Sequence, residues 1–183
     1  MKGVIFTELM AMAEENFGEE AVDAVIEAAD LPSGGAYTSV GNYPCEELLT
    51  LVGGFSAHSG LPAEELQRLF GHWIMDGFER HYPQFFVTRN TSIDMLEAIE
   101  DDIHVEVRKL YPDAELPSFE TEREGPSTLN MTYRSPRPLA AFCQGLIEAC
   151  AVKFNETAQI ERKDSVTPED TVARFRISTE PAE

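Results

Sequence analysis

Cysteine is scarce in this chain: Cys45, Cys143 and Cys150 are an odd, widely spaced set in 183 residues. A disulfide framework is excluded as the organising device, and the chain is expected to be reduced and cytoplasmic. No Cys-x-x-Cys, Cys-x-x-Cys-His or His-Glu-x-x-His occurs. That removes the common zinc-ligand spacings and the c-type cytochrome attachment motif. Gly34-Gly35 and Gly53-Gly54 complete neither a dinucleotide fingerprint nor a Walker loop, and no Gly-x-Ser-x-Gly elbow presents a nucleophile. No run reaches eighteen apolar residues, so no membrane span is expected. Met1-Lys2-Gly3-Val4-Ile5-Phe6 leads straight into acidic helical sequence without an apolar leader.

Positive charge is also in short supply. Acidic residues outnumber basic ones 33 to 14, for a net charge of −19. Such a surface repels nucleic-acid backbones and anionic membranes, so neither partner is expected; it leaves open a basic partner protein, or serves solubility alone. What is present is ordinary globular material, 43% hydrophobic and 26% charged without low-complexity runs or repeats. One domain with a sizeable core is expected over 1–183.

Ile5, Leu9, Met12 and Phe17 recur at helical spacing over 2–17, and Val22, Val25 and Ile26 mark a second acidic helix over about 19–29. A loop at Leu31–Gly35 precedes a helix over 45–59. After Pro62 the next helix carries Leu66, Leu69, Phe70, Trp73, Ile74 and Phe78, too apolar for a surface helix, and Pro83 is expected to end it. Thr91-Ser92 can cap a long helix over 92–111. Beyond Pro112 and Pro117 the period changes to that of strands, at 118–123, 128–133, 157–163 and 171–178, with one apolar helix at 138–154. The order predicts an α+β fold, a helical N-terminal subdomain plus a C-terminal four-stranded antiparallel sheet with helices.

Two stretches stand out chemically. His104 lies at the edge of the stripe Ile93, Leu96, Ile103, Val107 and Tyr111 on the expected 92–111 helix, from which an imidazole can point into the interior. Taken alone, a histidine at a core margin is more often a hydrogen-bonded structural residue. Tyr133-x-Ser135-x-Arg137 leaves a strand with alternating side chains on one face, aiming two hydroxyls and a guanidinium at a common anion. A structural salt bridge to an acidic neighbour is the plain alternative.

These stretches, together with Met1-Lys2-Gly3, Tyr37-Thr38-Ser39-Val40, Tyr43-Pro44, Phe70-Gly71, Lys109-Leu110-Tyr111-Pro112, Pro117 and Gly145-Leu146-Ile147-Glu148, make the chain resemble the heme-nitric oxide/oxygen binding (H-NOX) family. The resemblance runs nearly the whole length. It implies one noncovalent heme b between the two halves, with His104 as the proximal iron ligand and Tyr133, Ser135 and Arg137 on the propionates. It also implies that Pro117 presses on the porphyrin, and that about 1–60 forms a distal helical subdomain against a heme-holding remainder, about 61–183. Neutral imidazole suits iron, and buried carboxylates need charged and hydroxyl donors.

The family's oxygen-binding members carry a distal tyrosine where this chain has Phe142, and polar supports where it has Leu9 and Ile74. With Phe78 and Leu146 these complete an apolar pocket. Iron-bound dioxygen gains from a hydrogen-bond donor, whereas nitric oxide does without one, so nitric oxide binding with oxygen excluded is expected, and carbon monoxide binding alongside it. A zinc site carried by some members is not expected, because only Cys143 matches and Arg162, Ser165 and Ala173 stand at the other positions. The resemblance implies a sensor rather than an enzyme, signalling to a histidine kinase or a diguanylate cyclase/phosphodiesterase protein. The rivals are a peroxidase-type heme enzyme, which needs a distal acid-base pair that His72 would have to supply, and a heme-free module binding an apolar small molecule or a protein.

Overall fold

A computed structural model describes residues 1–167 and 169–182. Helix α1 (Gly3–Phe17) gives way at Gly18 to α2 (Glu19–Ala28), whose first turn carries Glu19 and Glu20 against the positive end of the helix dipole. Helix α3 (Cys45–Ser59) closes on Gly60, which takes the left-handed conformation (φ 75°) that a side chain would strain. Helix α4 (Ala63–His81) starts behind Pro62, with Glu64 and Glu65 in its first turn. It stops at His81, and Pro83 opens a further short helix, α5 (Pro83–Val87), where a missing N–H costs nothing.

Thr91 caps α6 (Ser92–Glu97), its hydroxyl accepting the Asp94 N–H at 3.1 Å. The single helix expected over 92–111 is not formed. A π turn, Ile99–Ile103, separates α6 from α7 (His104–Leu110), and the Ile103 N–H reaches back five residues to the Ala98 carbonyl at 3.2 Å. One extra residue in a turn rotates all later residues by roughly 100° about the helix axis. His104 is therefore turned inward, only 8% exposed, instead of lying at the stripe's edge, while Ile103, Val107 and Tyr111 are half-buried.

Strands β1 (Ser118–Arg123), β2 (Thr128–Ser135), β3 (Glu156–Val166) and β4 (Thr171–Pro181) form one antiparallel sheet in the order β1-β2-β4-β3, with α8 (Ala140–Lys153) between β2 and β3 in sequence. The expected α+β segregation holds. Leu129, Met131 and Tyr133 of β2 and Ala173, Phe175 and Ile177 of β4 pack with Ile147 and Cys150 of α8 and Ile93 and Leu96 of α6. A second core joins Phe6, Leu9 and Met12 of α1 to Leu48, Leu51 and Phe55 of α3 and to Leu66, Phe70 and Ile74 of α4. No helix among the described residues is long and apolar enough to cross a membrane.

Helices α4 and α8 join the two cores by backbone contact. A Cβ on Gly145 would lie 2.0 Å from the Arg68 carbonyl oxygen, and one on Gly71 would lie 2.5 Å from that of Phe142. Beside this crossing, Glu148 accepts from Arg68 Nε at 2.7 Å, His72 Nε2 at 2.8 Å and Gln144 Nε2 at 2.9 Å. Burial pushes the Glu148 carboxyl up, but His72, Gln144 and Arg68 outweigh it and hold the group at about 2.

Gly145→Ala drives a methyl into backbone, and is expected to lose about 3 kcal/mol in a denaturant titration; a wild-type midpoint would refute the contact. The depressed Glu148 carboxyl contributes stability above the ordinary carboxylate value of about 4.3, and that contribution fades as pH falls toward about 2. Glu148→Gln is expected to cost about 2 kcal/mol at neutral pH. The gap from wild type should close in urea melts repeated down to pH 2.

Candidate functional site

A cavity of about 470 Å³ lies between the two cores, with Ile5 and Phe70 on the helical side and Phe119 and Leu146 on the other. A smaller one of about 290 Å³ shares Phe78, His104, Pro117, Phe142 and Leu146 with it and continues toward Met75, Phe86 and Met95. Both are lined mainly by apolar side chains, as ligand pockets of this size are.

His104 is the one histidine on either wall among the described residues. Glu100 stands four residues before it, within the π turn, and Glu100 Oε2 lies 3.1 Å from His104 Nδ1. The same oxygen accepts the Phe119 N–H at 3.1 Å, and Oε1 accepts from Arg108 Nη2 at 3.0 Å. Burial lowers the basicity of the His104 ring, partly offset by Glu100, so the imidazole stays neutral at neutral pH. Its Nε2 has no hydrogen-bond partner among the described residues and is free to ligate a metal.

Around the same cavity runs a polar rim. Strand β2 buries Tyr133 and Ser135 on one face, and Ser135 Oγ accepts the Arg137 N–H at 3.1 Å, folding the chain so that the guanidinium returns to the cavity. Arg137 Nη1 donates to the Glu115 carbonyl at 2.8 Å, and Nη2 pairs with the Glu115 carboxylate. Burial pushes the Tyr133 phenol up to about 12, so it stays a neutral hydroxyl. Lys2 pairs with Asp113 at 2.8 Å and Asn42 Nδ2 donates to Asp113 at 2.8 Å, tying the start of α1 to the segment between α7 and β1.

Of the residues singled out in the sequence, His104, Tyr133, Ser135, Arg137, Pro117, Phe78, Phe142 and Leu146 line the larger cavity. Leu9 and Ile74 do not. Each is 1% exposed and packed in the helical core, whereas Phe142 lines the cavity near Phe70, with ring centroids 5.1 Å apart. The polar lining residues not marked as site residues include Gln67, Tyr82 and Tyr111. Gln67 is 9% exposed, and its amide has no hydrogen-bond partner among the described residues. It lies eleven residues before Phe78 on α4, roughly 16 Å along the helix axis. The i,i+4 spacing of Glu100 and His104 is a signal that sequence reasoning left unused.

His72 faces Glu148 rather than the cavity, while His58 lies near the Phe17 ring and His81 Nδ1 contacts the Gly77 carbonyl oxygen. Burial pushes the Cys143 and Cys150 thiols to about 12, leaving them neutral. Arg162 bonds Gln144, Glu64 and Asp164, so a cation's worth of charge already bridges β3 to α4 and α8. Among the described residues no three His, Cys, Asp or Glu side chains converge as a metal-holding group. The donor set that does converge is one imidazole nitrogen, two hydroxyls and one guanidinium around an apolar slot. It fits a planar apolar cofactor with an axial metal and a dianionic edge, which is the description of heme.

The chain is similar to an unliganded ferrous H-NOX protein from K. algicida, at 38% identity over 98% of this chain and 97% of that one, with a TM-score of 0.92. It is also similar to the H-NOX from Shewanella woodyi solved with IWP-051 bound in the Fe(II)CO state, at 41% identity over 99% and 95% of the two chains and a TM-score of 0.82. The I5F mutant of the T. tengcongensis H-NOX shares the fold, with a TM-score of 0.87 at 20% identity over 100% of this chain and 99% of that one. No curated protein matches the chain. The haem-NO-binding family model covers residues 2–162, and a match of that extent, on a fold that brings His104 and the Tyr133-Ser135-Arg137 rim to one cavity, means that the chain belongs to the H-NOX family of heme-binding gas-sensor domains.

Proposed function

We propose that this chain senses nitric oxide at a ferrous heme b held noncovalently between its two halves, with His104 as the iron ligand and Tyr133, Ser135 and Arg137 on the propionates. The observation that carries the reading is that the free Nε2 of a buried neutral imidazole and a rim of two hydroxyls and a guanidinium border one apolar cavity. Heme, when bound, supplies the iron that takes the gas. The chain supplies the ligand, the counter-charge and the walls. Arg137 has particular weight in a protein of net charge −19, where few cations are available to offset two carboxylates.

Selectivity rests on what the wall lacks. Phe78, Phe142 and Leu146 carry no hydrogen-bond donor, and Leu9 and Ile74 in the helical core add none. A partly anionic bound dioxygen finds no donor on these five residues, whereas nitric oxide and carbon monoxide do not depend on one. The S. woodyi relative was solved with carbon monoxide on ferrous iron. The Gln67 amide stands on the same wall, far along α4 from Phe78 but one turn before Phe70. Pro117 lines the same cavity as His104, which supports the reading that it would press on the porphyrin. A peroxidase reading finds less support, since His72 and Arg68 are both spent on Glu148, off the cavity.

On this reading the signal is a shift of the helical part, about 1–60, against the remainder, about 61–183, and it passes to a separate signalling protein. A histidine kinase or a diguanylate cyclase/phosphodiesterase protein in the cytoplasm is the proposed recipient. The Lys2–Asp113–Asn42 link spans those two parts, so movement there changes the exposed surface.

His104→Gly is expected to lose the protein–iron bond and to recover heme loading only when imidazole is added; optical spectra identical to wild type would sink the ligand assignment. The ferrous wild-type protein opened to air is expected to show no stable oxy spectrum. A persistent oxy band would overturn the apolar-wall reading, and its loss in Gln67→Leu would name the donor.

A further inference from the structure

Glu100 is a carboxylate with three donors around it. Its Oε2 is 3.1 Å from His104 Nδ1 and 3.1 Å from the Phe119 backbone nitrogen, and its Oε1 is 3.0 Å from Arg108 Nη2. The Phe119 N–H and the guanidinium can only donate, so both oxygens act as acceptors. The imidazole nitrogen facing them is therefore the protonated one, which leaves the Nε2 lone pair for iron. The ring is held in direction as well: Glu100 is fixed to β1 through Phe119, whose own ring lies 5.6 Å from that of His104.

Resting on the heme reading above, we infer that Glu100 is a positioning residue that orients His104 and strengthens it as an iron ligand, and that Arg108 tempers this effect from the other carboxylate oxygen. A carboxylate on the far nitrogen draws the N–H proton toward itself and makes the ring a stronger donor to the metal. A cation on the same carboxylate withdraws part of that charge. Glu100 thereby sets how firmly the imidazole holds the iron, and it keeps the ring tethered to β1 whether or not the iron bond is intact. Glu100 stands in the π turn four residues before His104, the spacing that sets two helical side chains on one face.

The test uses the full heme-loaded chain with Glu100→Gln, which keeps size and an acceptor oxygen but removes the charge, and Arg108→Gln, at a site whose side chain is 46% exposed. The readouts are the iron–histidine stretching frequency of the unliganded ferrous protein, the heme midpoint potential, heme transfer to apomyoglobin, and thermal unfolding. Glu100→Gln should lower the frequency, raise the potential and speed heme loss about tenfold. Arg108→Gln should move frequency and potential the opposite way. Opposite signs cannot come from general loosening of the fold. The proposal is overturned if neither variant moves the frequency, or if both move it in one direction together with a fall in thermal stability. Should Glu100→Gln fail to fold, Arg108→Gln decides alone, a raised frequency supporting the proposal and an unchanged one overturning it. An iron–histidine band that survives in His104→Gly would instead show that the heme reading itself had failed.

Discussion

The backbones of α4 and α8 touch, with Gly145 against the Arg68 carbonyl and Gly71 against that of Phe142. Nothing larger than glycine fits, because the neighbouring atoms are main chain and have nowhere to retreat. This contact sets the arrangement of everything around it. Phe70 and Phe142 are brought together above the cavity, Leu146 is set on its wall, and the helical core and the sheet core share a boundary. The cavity lies beside this crossing, where the helical core and the sheet core border each other.

Within that frame the electrostatics divide into two kinds of place. Along the α4–α8 edge, carboxylates are matched by Arg68, Arg162 and Lys153, which is structural use of a small stock of cations. At the cavity the stock is spent differently. Arg137 is held by a carbonyl and by an exposed carboxylate, Glu115, that is free to move aside, and His104 is held neutral with one nitrogen committed and the other open. A buried polar group normally consumes all its hydrogen bonds internally. In an apolar slot, an imidazole with one nitrogen uncommitted has the chemistry of a metal ligand.

Much of this was legible in the amino-acid order. Gly60, Pro62, Thr91 and Pro83 act as local punctuation, and their effect does not depend on distant residues, so element boundaries agree with the expected ones to within a few positions. Alternation along β2 put Tyr133 and Ser135 on one face, and the motif-to-histidine pairing carried the family resemblance. The π turn was not legible. A single inserted residue leaves hydrophobic spacing almost intact while rotating the residues beyond it, so a straight helical wheel set His104 at the edge of the apolar stripe instead of facing inward.

The sequence by itself determined the class of fold, the chemistry of the donors and the aromatic and aliphatic character of the distal side, because these depend on residue type and on local periodicity. Only the tertiary structure decided which of those side chains reach the cavity. Phe142 is on the wall while Leu9 and Ile74 are packed in the helical core, and Gln67, which belongs to no motif, lines the cavity. The reason is geometric: which face of α4 meets the cavity is set by how closely α8 can approach, and that distance belongs to a contact between residues 68 and 145 that no local pattern encodes.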